Sequence, residues 1–352
     1  MPAASIPEVC PELGIEVPIS AIDRELRKLW EQDAARTNAS LMNLVVYSER
    51  NGALIANSEI VRELTREHAC RAILVEIDSQ AAPSLRAWIT AHCHLAEGRK
   101  SVCCEQISFL LTGKVTGRFR NTVFSHLNSD LPLVFWWQGE LSEILTERLV
   151  SVIDRLIIDS SSWVDPAASF KLIEEASQAN RDLVIQDHAW TRSWQFRLGI
   201  ASLFDDPVAQ QALPKIHSIK ITYHPDHRNT ALQILAWLAV QAGWKNRAGT
   251  HFGFTSNPGV SISVTMTEDA AGPPLGSLII QSDDTTVQVT QKADASHVER
   301  RVECSSYNAV SLSPVDPTIP AELVAVQLAR GGKNSLYQKI LPRFRAMLEP
   351  VK

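Results

Sequence analysis

The sequence predicts an α/β protein: a mostly parallel N-terminal sheet flanked by helices, with a hairpin insertion, followed by a smaller C-terminal α+β domain with an antiparallel meander. Three observations predict it. Between residues 43 and 158 apolar β-favouring runs alternate with helical stretches, the pattern of crossovers joining parallel strands. Residues 85–94 and 101–112 are two β-favouring runs separated by a short polar stretch, which reads as a hairpin with a longer loop. After about residue 249 Gly, Pro, Ser and Thr rise and four runs alternate at period two, as half-exposed antiparallel strands do. The domains expected are an extended arm over 1–18, an α/β domain over 19–205 and an α+β domain over 206–352.

The arm is rich in proline and small residues. Ser20 can cap a helix with Asp23 in its positive first turn and Ile22, Leu26, Leu29 and Trp30 as its apolar stripe. Residues 43–47 form a buried strand, Asn57 caps a helix carrying Ile60, Val61 and Leu64, and residues 72–77 form the next strand. Beyond the hairpin, residues 115–127 make a helix. A second strand-helix-strand unit follows: a strand at 131–137, a helix capped by Ser142 with Leu145, Leu149 and Val152, and a strand at 155–158 closing on Asp159-Ser160-Ser161-Ser162. Asp165-Pro166 opens a helix with Phe170, Ile173 and Ala176. Residues 187–204 read as a single aromatic helix with Trp190, Trp194, Leu198 and Ala201 on one face. A strand at 216–223 and a helix on Leu232, Leu235, Leu238 and Ala239 precede the meander at 260–266, 277–281, 285–291 and 298–304. Helices over 320–329 and 335–348 flank Gly331-Gly332, with Pro342 kinking the second.

The chain has 352 residues, 45% of them apolar and 21% charged, with a formal charge of −5. That is an ordinary globular composition with no electrostatic pull toward nucleic acid. No apolar run reaches the roughly 20 residues of a membrane span, and the N-terminus lacks the basic and apolar regions of a signal peptide. The six cysteines lack the spacing of a secreted disulfide framework. Reduced thiols and a cytoplasmic location are therefore expected.

Candidate chemistry is sparse. His92, Cys93, His94, Cys103 and Cys104 lie on the two hairpin strands, but the pleat splits them between faces, and zinc takes four convergent ligands. No metal is expected. Cys103 and Cys104 read as packed small hydrophobes, with a redox role as the alternative because Arg99 and Lys100 would favour a thiolate. There is no Gly-x-Ser-x-Gly elbow, Gly-x-Gly-x-x-Gly turn or Walker loop, hence no cofactor is expected. Asp187-His188 can do acid-base work or simply cap a helix. Trp136 and Trp137 point to opposite faces of one strand, one to core and the other toward a surface. Tryptophan and arginine are favoured interface anchors, which singles out Trp137, Trp190 and Arg192.

The ordered series Met42-Asn43-Leu44-Val45-Val46, Cys103-Cys104-Glu105-Gln106-Ile107, Asp130-Leu131-Pro132 with Trp136-Trp137, Asp154-Arg155 with Ile158-Asp159-Ser160-Ser161, Ala189-Trp190-Thr191-Arg192 and Leu203-Phe204-Asp205 resembles the OpcA family, the glucose-6-phosphate dehydrogenase assembly proteins. The resemblance spans about residues 40 to 240. It implies a non-catalytic partner that binds glucose-6-phosphate dehydrogenase, favours its active oligomer and raises its activity. Trp137, Asp159, Ser160, Trp190, Thr191 and Arg192 are then the partner-contact candidates. The competing expectation is a sugar-phosphate binder or enzyme whose strand ends place Asp159, Ser160, Asp187 and Arg192 around a pocket.

Overall fold

Apolar runs buried on both faces build the centre of the first sheet. Asn43–Ser48 is buried at every position, as is the middle of Arg71–Asp78, which is how a parallel strand covered by helices reads. The computed structural model describes residues 10–31, 36–38, 40–96, 100–247, 252–257, 259–330 and 335–348. Half of the expected arm, residues 1–9, and the Gly331-Gly332 turn lie outside them. Contacts divide the chain into two compact units: Met1–Ile158 with Lys171–Gln186 and Ile319–Lys333, and Asp159–Phe170 with Asp187–Thr318 and Asn334–Lys352. Where the sequence suggested one cut between 205 and 206, the segments interleave.

The first unit runs through β1 (Ile15–Glu16), α1 (Ile22–Glu31), β2 (Arg36–Asn38), β3 (Asn43–Ser48), α2 (Ala53–Leu64), β4 (Arg71–Asp78), β5 (Ser84–Ala96), β6 (Lys100–Thr112), α3 (Phe119–Phe124), β7 (Leu133–Gln138), α4 (Glu147–Val150) and β8 (Arg155–Ile158), and it takes α5 (Pro166–Ala179) from Lys171 onward and β9 (Val184–Asp187) as far as Gln186. The sheet order is β1-β5-β6-β4-β3-β7-β8-β9, with β2 also on β6. Strands β6, β4, β3, β7 and β8 are parallel neighbours, while β5 is antiparallel to β6 and forms the expected hairpin. The chain therefore winds outward from β3 through β4 to β6, then returns beside β3 and winds the other way through β7, β8 and β9. That is the winding of a dinucleotide-binding sheet, whose ligand crevice opens at the reversal, outside the carboxyl ends of the strands.

At the reversal the first helix start is already occupied. Gly52 adopts φ +77°, a left-handed turn that favours glycine, and α2 begins directly after it. The buried Glu76 carboxylate of β4 accepts from the Gly52 and Leu54 amides at 2.8 and 3.0 Å. Asn57, expected to cap this helix, instead lies inside it and exchanges two hydrogen bonds with Gln138 at the end of β7, at 3.0 and 2.8 Å. Two other helices differ from expectation. Residues 115–127 split into a 3-10 segment, Gly113–Arg118, and α3. The helix after Ser142 shrinks to α4, capped by Thr146, and leaves Val152 exposed. β9, only four residues long, had no readable periodicity.

The second unit contains α6 (His188–Thr191), α7 (Trp194–Leu203), α8 (Pro207–Ala212), β10 (Ser218–Tyr223), α9 (Arg228–Gln241), β11 (Lys245–Asn246), β12 (Gly253–Thr255), β13 (Ser261–Glu268), β14 (Leu275–Gln281), β15 (Thr285–Gln291), β16 (His297–Cys304) and β17 (Tyr307–Pro314). The single helix expected over 187–204 breaks at Arg192-Ser193, and Trp194 and Leu198 face solvent, 41% and 51% exposed. The eight-stranded sheet has the order β11-β12-β13-β10-β14-β15-β16-β17. β10 inserts between β13 and β14 and pairs in parallel with β13, so the uninterrupted antiparallel meander is β14 to β17. α9 is buried all round from Asn229 to Ala239. After α10 (Pro320–Ala329) the chain ends in α11 (Ser335–Leu348), whose Tyr337, Ile340, Phe344 and Met347 form a buried stripe and which packs on α9. No described helix is long and apolar enough to cross a membrane.

α10 belongs to the first unit. Val324 packs with Leu54, Val61 and Leu64 of α2, and Arg155 of β8 donates to the carbonyls of Gln327 and Arg330 at 2.7 and 3.2 Å, where a cation meets the negative helix end. The Glu76 cap gives a direct test. Glu76→Ala leaves the Gly52 amide and the buried Leu54 amide of the helix start unanswered and should lower stability by about 1–3 kcal/mol, read as a reduced urea midpoint with an unchanged slope. An unchanged midpoint would show that the cap contributes nothing.

Candidate functional site

The residues that follow β8 and close β9 assemble, within the second unit, a buried polar cluster around Asp187. Asp187 has no exposed surface. It ends β9 and its side chain caps α6 by accepting from the Ala189 amide at 2.9 Å, so the helix-cap reading of this residue holds. Its carboxylate also accepts from the Ser160 amide at 3.0 Å, the Ser160 hydroxyl at 2.5 Å, Gln233 Nε2 at 2.7 Å and the Tyr337 hydroxyl at 2.9 Å. Asn229 Nδ2 completes the shell by donating to the Ser160 carbonyl at 2.6 Å. Burial pushes the Asp187 carboxyl above its usual range against the Ser160 hydrogen bonds, and burial with the neighbouring Asp187 charge raises the Tyr337 phenol.

Beside it lies an ion pair. Arg192 grips Asp159 with both guanidinium ends, Nη1 to Oδ1 at 2.8 Å and Nη2 to Oδ2 at 2.6 Å, the planar fork that makes arginine strong toward carboxylates. The Ser161 hydroxyl donates to the same Oδ1 at 2.5 Å, and His188 Nδ1 is 3.8 Å from Oδ2. Burial raises the Asp159 carboxyl, but the hydrogen bonds and charge of Arg192, with the nearby His188 ring, outweigh it and hold it well below the usual range. His227 is driven down to about 4 by burial and by the Arg192 charge, which keeps its ring neutral at pH 7.

The structure thus brings Asp159, Ser160, Asp187 and Arg192 together, but as donors and acceptors to one another. Trp190 is 3% exposed; the Arg197 guanidinium lies 3.3 Å over its ring and Tyr337 is 5.7 Å from it. Thr191 is also buried and returns its hydroxyl to the Asp187 carbonyl. Of the six partner-contact candidates only Asp159 and the rim of Arg192 reach solvent. Trp137 corrects the surface expectation outright: it is fully buried, its ring tilted at 39° with its centroid 4.3 Å from that of Tyr47, and its indole N–H donates to the Glu140 carbonyl at 2.9 Å. Trp136 is buried as well, because helices cover both faces of a parallel sheet. Gln233, Asn229 and Tyr337 escaped the sequence reading; they sit on helices whose apolar periodicity gives no local signal for a polar role.

The cysteines also fall differently. Cys93 and Cys103 are directly opposed on β5 and β6 and form a disulfide, with Cα atoms 4.1 Å apart, which corrects the expectation of reduced thiols there. Cys104 is a buried thiol outside the disulfide, raised by burial and therefore disfavoured as a thiolate. It faces His92 across the ladder, so the pleat separates the two pairs as expected.

Residues 61–175 match the family model described as the glucose-6-phosphate dehydrogenase subunit N-terminal domain, and residues 183–341 match its C-terminal domain. Among curated proteins, the putative OxPP cycle protein OpcA of Synechocystis sp. is 24% identical over 324 residues, covering 84% of this chain and 67% of that protein. The protein of the same description from Synechococcus elongatus is 22% identical over 348 residues, covering 92% of this chain and 75% of that one. Solved structures of similar outline include an aldose-aldose oxidoreductase from Caulobacter crescentus, 11% identical with a TM-score of 0.47 over 88% of this chain and 96% of that one. A 3-ketoreductase from Actinomadura kijaniata is 9% identical with a TM-score of 0.46, covering 87% and 94%.

The ion pair makes a pH prediction. A carboxyl held below its unfolded value of about 3.9 contributes stability that is complete above that value and is lost as pH falls through the depressed folded value. The Asp159–Arg192 pair should therefore leave stability flat above about pH 5 and steepen its loss below about pH 4. Asp159→Asn should flatten that acid limb when melting is followed from pH 6 to pH 3. An acid limb as steep in the variant as in the parent would place the sensitive carboxylate elsewhere.

Proposed function

The chain belongs to the OpcA family of glucose-6-phosphate dehydrogenase subunits, and from that premise we propose that it is a non-catalytic assembly partner that binds this dehydrogenase and favours its active oligomer. The family match across both domains carries the reading. It ties the chain to the oxidative pentose phosphate pathway through relatives described as OxPP cycle proteins. The state of the polar cluster is consistent with it: Asp159 and Asp187, the carboxylates a catalyst would use, are already bonded to Arg192, Ser160, Gln233 and Tyr337.

Activation by such a partner is a population shift. It moves the dehydrogenase toward its active form only by as much as it binds that form more tightly. The contact surface must be exposed, which removes Trp137 and Trp190 from consideration and favours Trp194 and Leu198 on α7, a solvent-facing aromatic and aliphatic pair of the kind that anchors interfaces.

Mixing the purified protein with the dehydrogenase of the same organism should give a heavier complex and a raised kcat/KM; no change in mass, rate or substrate affinity sinks the proposal. Within a working complex, Trp194→Ala with Leu198→Ser should weaken binding roughly tenfold and leave melting nearly unchanged. Trp137→Ala should instead cost about 3–5 kcal/mol of stability. If the α7 double variant binds as the parent does, the interface lies on another face.

A further inference from the structure

The first unit holds a crevice of about 1030 Å³ at the reversal of its winding, beyond the carboxyl ends of β3 and β4 and beside the segment that follows β7. Crevices at this place in open α/β sheets are where ligands bind. In a dinucleotide-binding sheet three features divide the work: the amides at the first helix start hold a pyrophosphate, glycines let it approach, and an acidic side chain ending the second strand takes the ribose hydroxyls. Here the first is withdrawn. Both oxygens of Glu76 lie on the Gly52 and Leu54 amides at 2.8 and 3.0 Å, so an internal carboxylate holds the position of the pyrophosphate and would repel it.

The third feature is present. Asp78 ends β4, the second strand of the winding, and lines the crevice. Its Oδ1 accepts from the Gln80 and Ala81 amides at 3.0 and 3.2 Å, which fixes the carboxylate and leaves Oδ2 for a hydroxyl pair. The crevice has its own cations in place of the lost cradle. Arg50, in the turn after β3, and Arg120, on α3, both line it, and among the described residues neither forms an ion pair. Arg120 lies against the Phe124 ring, 6.0 Å from its centroid, and its Nε is buried without a hydrogen-bond partner. A buried guanidinium nitrogen left without an acceptor is uncommon in a folded protein, and phosphate oxygens satisfy a guanidinium fork well.

We propose that this crevice binds a phosphate monoester bearing vicinal hydroxyls, with the phosphate on Arg120 and Arg50 and the hydroxyls on Asp78, and that Glu76 excludes dinucleotides from it. A sugar phosphate and a mononucleotide share this chemistry. The site involves none of the residues assigned to dehydrogenase contact, and its test uses the chain alone, so its failure and the failure of the assembly reading are separable.

Calorimetric titration of the full chain with ribose 5-phosphate, AMP, inorganic phosphate and NADP+ tests it. Ribose 5-phosphate or AMP should bind with a sub-millimolar Kd, and which of them does so identifies the source. Inorganic phosphate and NADP+ should each bind roughly tenfold more weakly or not at all. Arg120→Gln and Asp78→Asn should each weaken the ester roughly tenfold, with melting curves superimposable on the parent to show that the fold is intact. The proposal is overturned if neither ester binds, if inorganic phosphate binds as tightly as the ester, or if NADP+ matches it. It is equally overturned if both folded variants retain the parent's affinity.

Discussion

A carboxylate with no exposed atom must be answered from within the protein, and the second unit is organised by how Asp187 is answered. Five hydrogen bonds reach it: two from Ser160, and one each from Ala189, Gln233 and Tyr337. These donors stand 2, 27, 46 and 150 residues away in sequence. One side chain thereby fixes the loop after β8, the start of α6, the largely buried α9 and the helix α11. Such an arrangement is demanding, because a partly satisfied buried network costs more than an apolar core. It also explains why the most polar-looking patch of the sequence forms a structural centre: the donors a substrate would need are already committed.

The two ligand-facing questions in this protein separate cleanly by unit. In the first, a nucleotide-type winding survives while its phosphate cradle is closed by Glu76. The same carboxylate does the helix-capping work that a bound phosphate does elsewhere, so α2 is stable without a ligand. In the second, the residues after β8 form a polar core whose two carboxylates, Asp159 and Asp187, are already hydrogen-bonded from within. A chain of this kind can keep the scaffold of an enzyme and use its surface for assembly, since function resides in sites grafted onto folds.

Much of the fold was legible in the residues, for identifiable reasons. The runs over β3 and β4 are apolar on both faces, the hairpin separates two long β-favouring runs, and α10 and α11 show helical spacing with a proline at the first position of α10. What was illegible had no local signal. β9 is too short for a period to form. The parallel pairing of β10 with β13 depends on an insertion between strands that alternation alone does not reveal. Trp137 was placed on the correct strand, but alternation reports which face a side chain points to and nothing about whether that face is covered; Phe119 of α3 packs on Tyr47 and Phe135, which share that face with Trp137. Of the polar cluster, Asp159, Ser160, Asp187 and Arg192 were visible as a local constellation. Tyr337 was not, since it reaches them from 150 residues downstream.

The interleaving of segments has a consequence for the order in which the protein can be completed. The first unit begins at the N-terminus, yet α10, which covers α2 and receives Arg155 on its last carbonyls, is encoded at 320–329. Domains often fold in turn as they leave the ribosome. Here α2 stays uncovered on that side until the segment up to Ala329, far beyond β8 in the sequence, has been made.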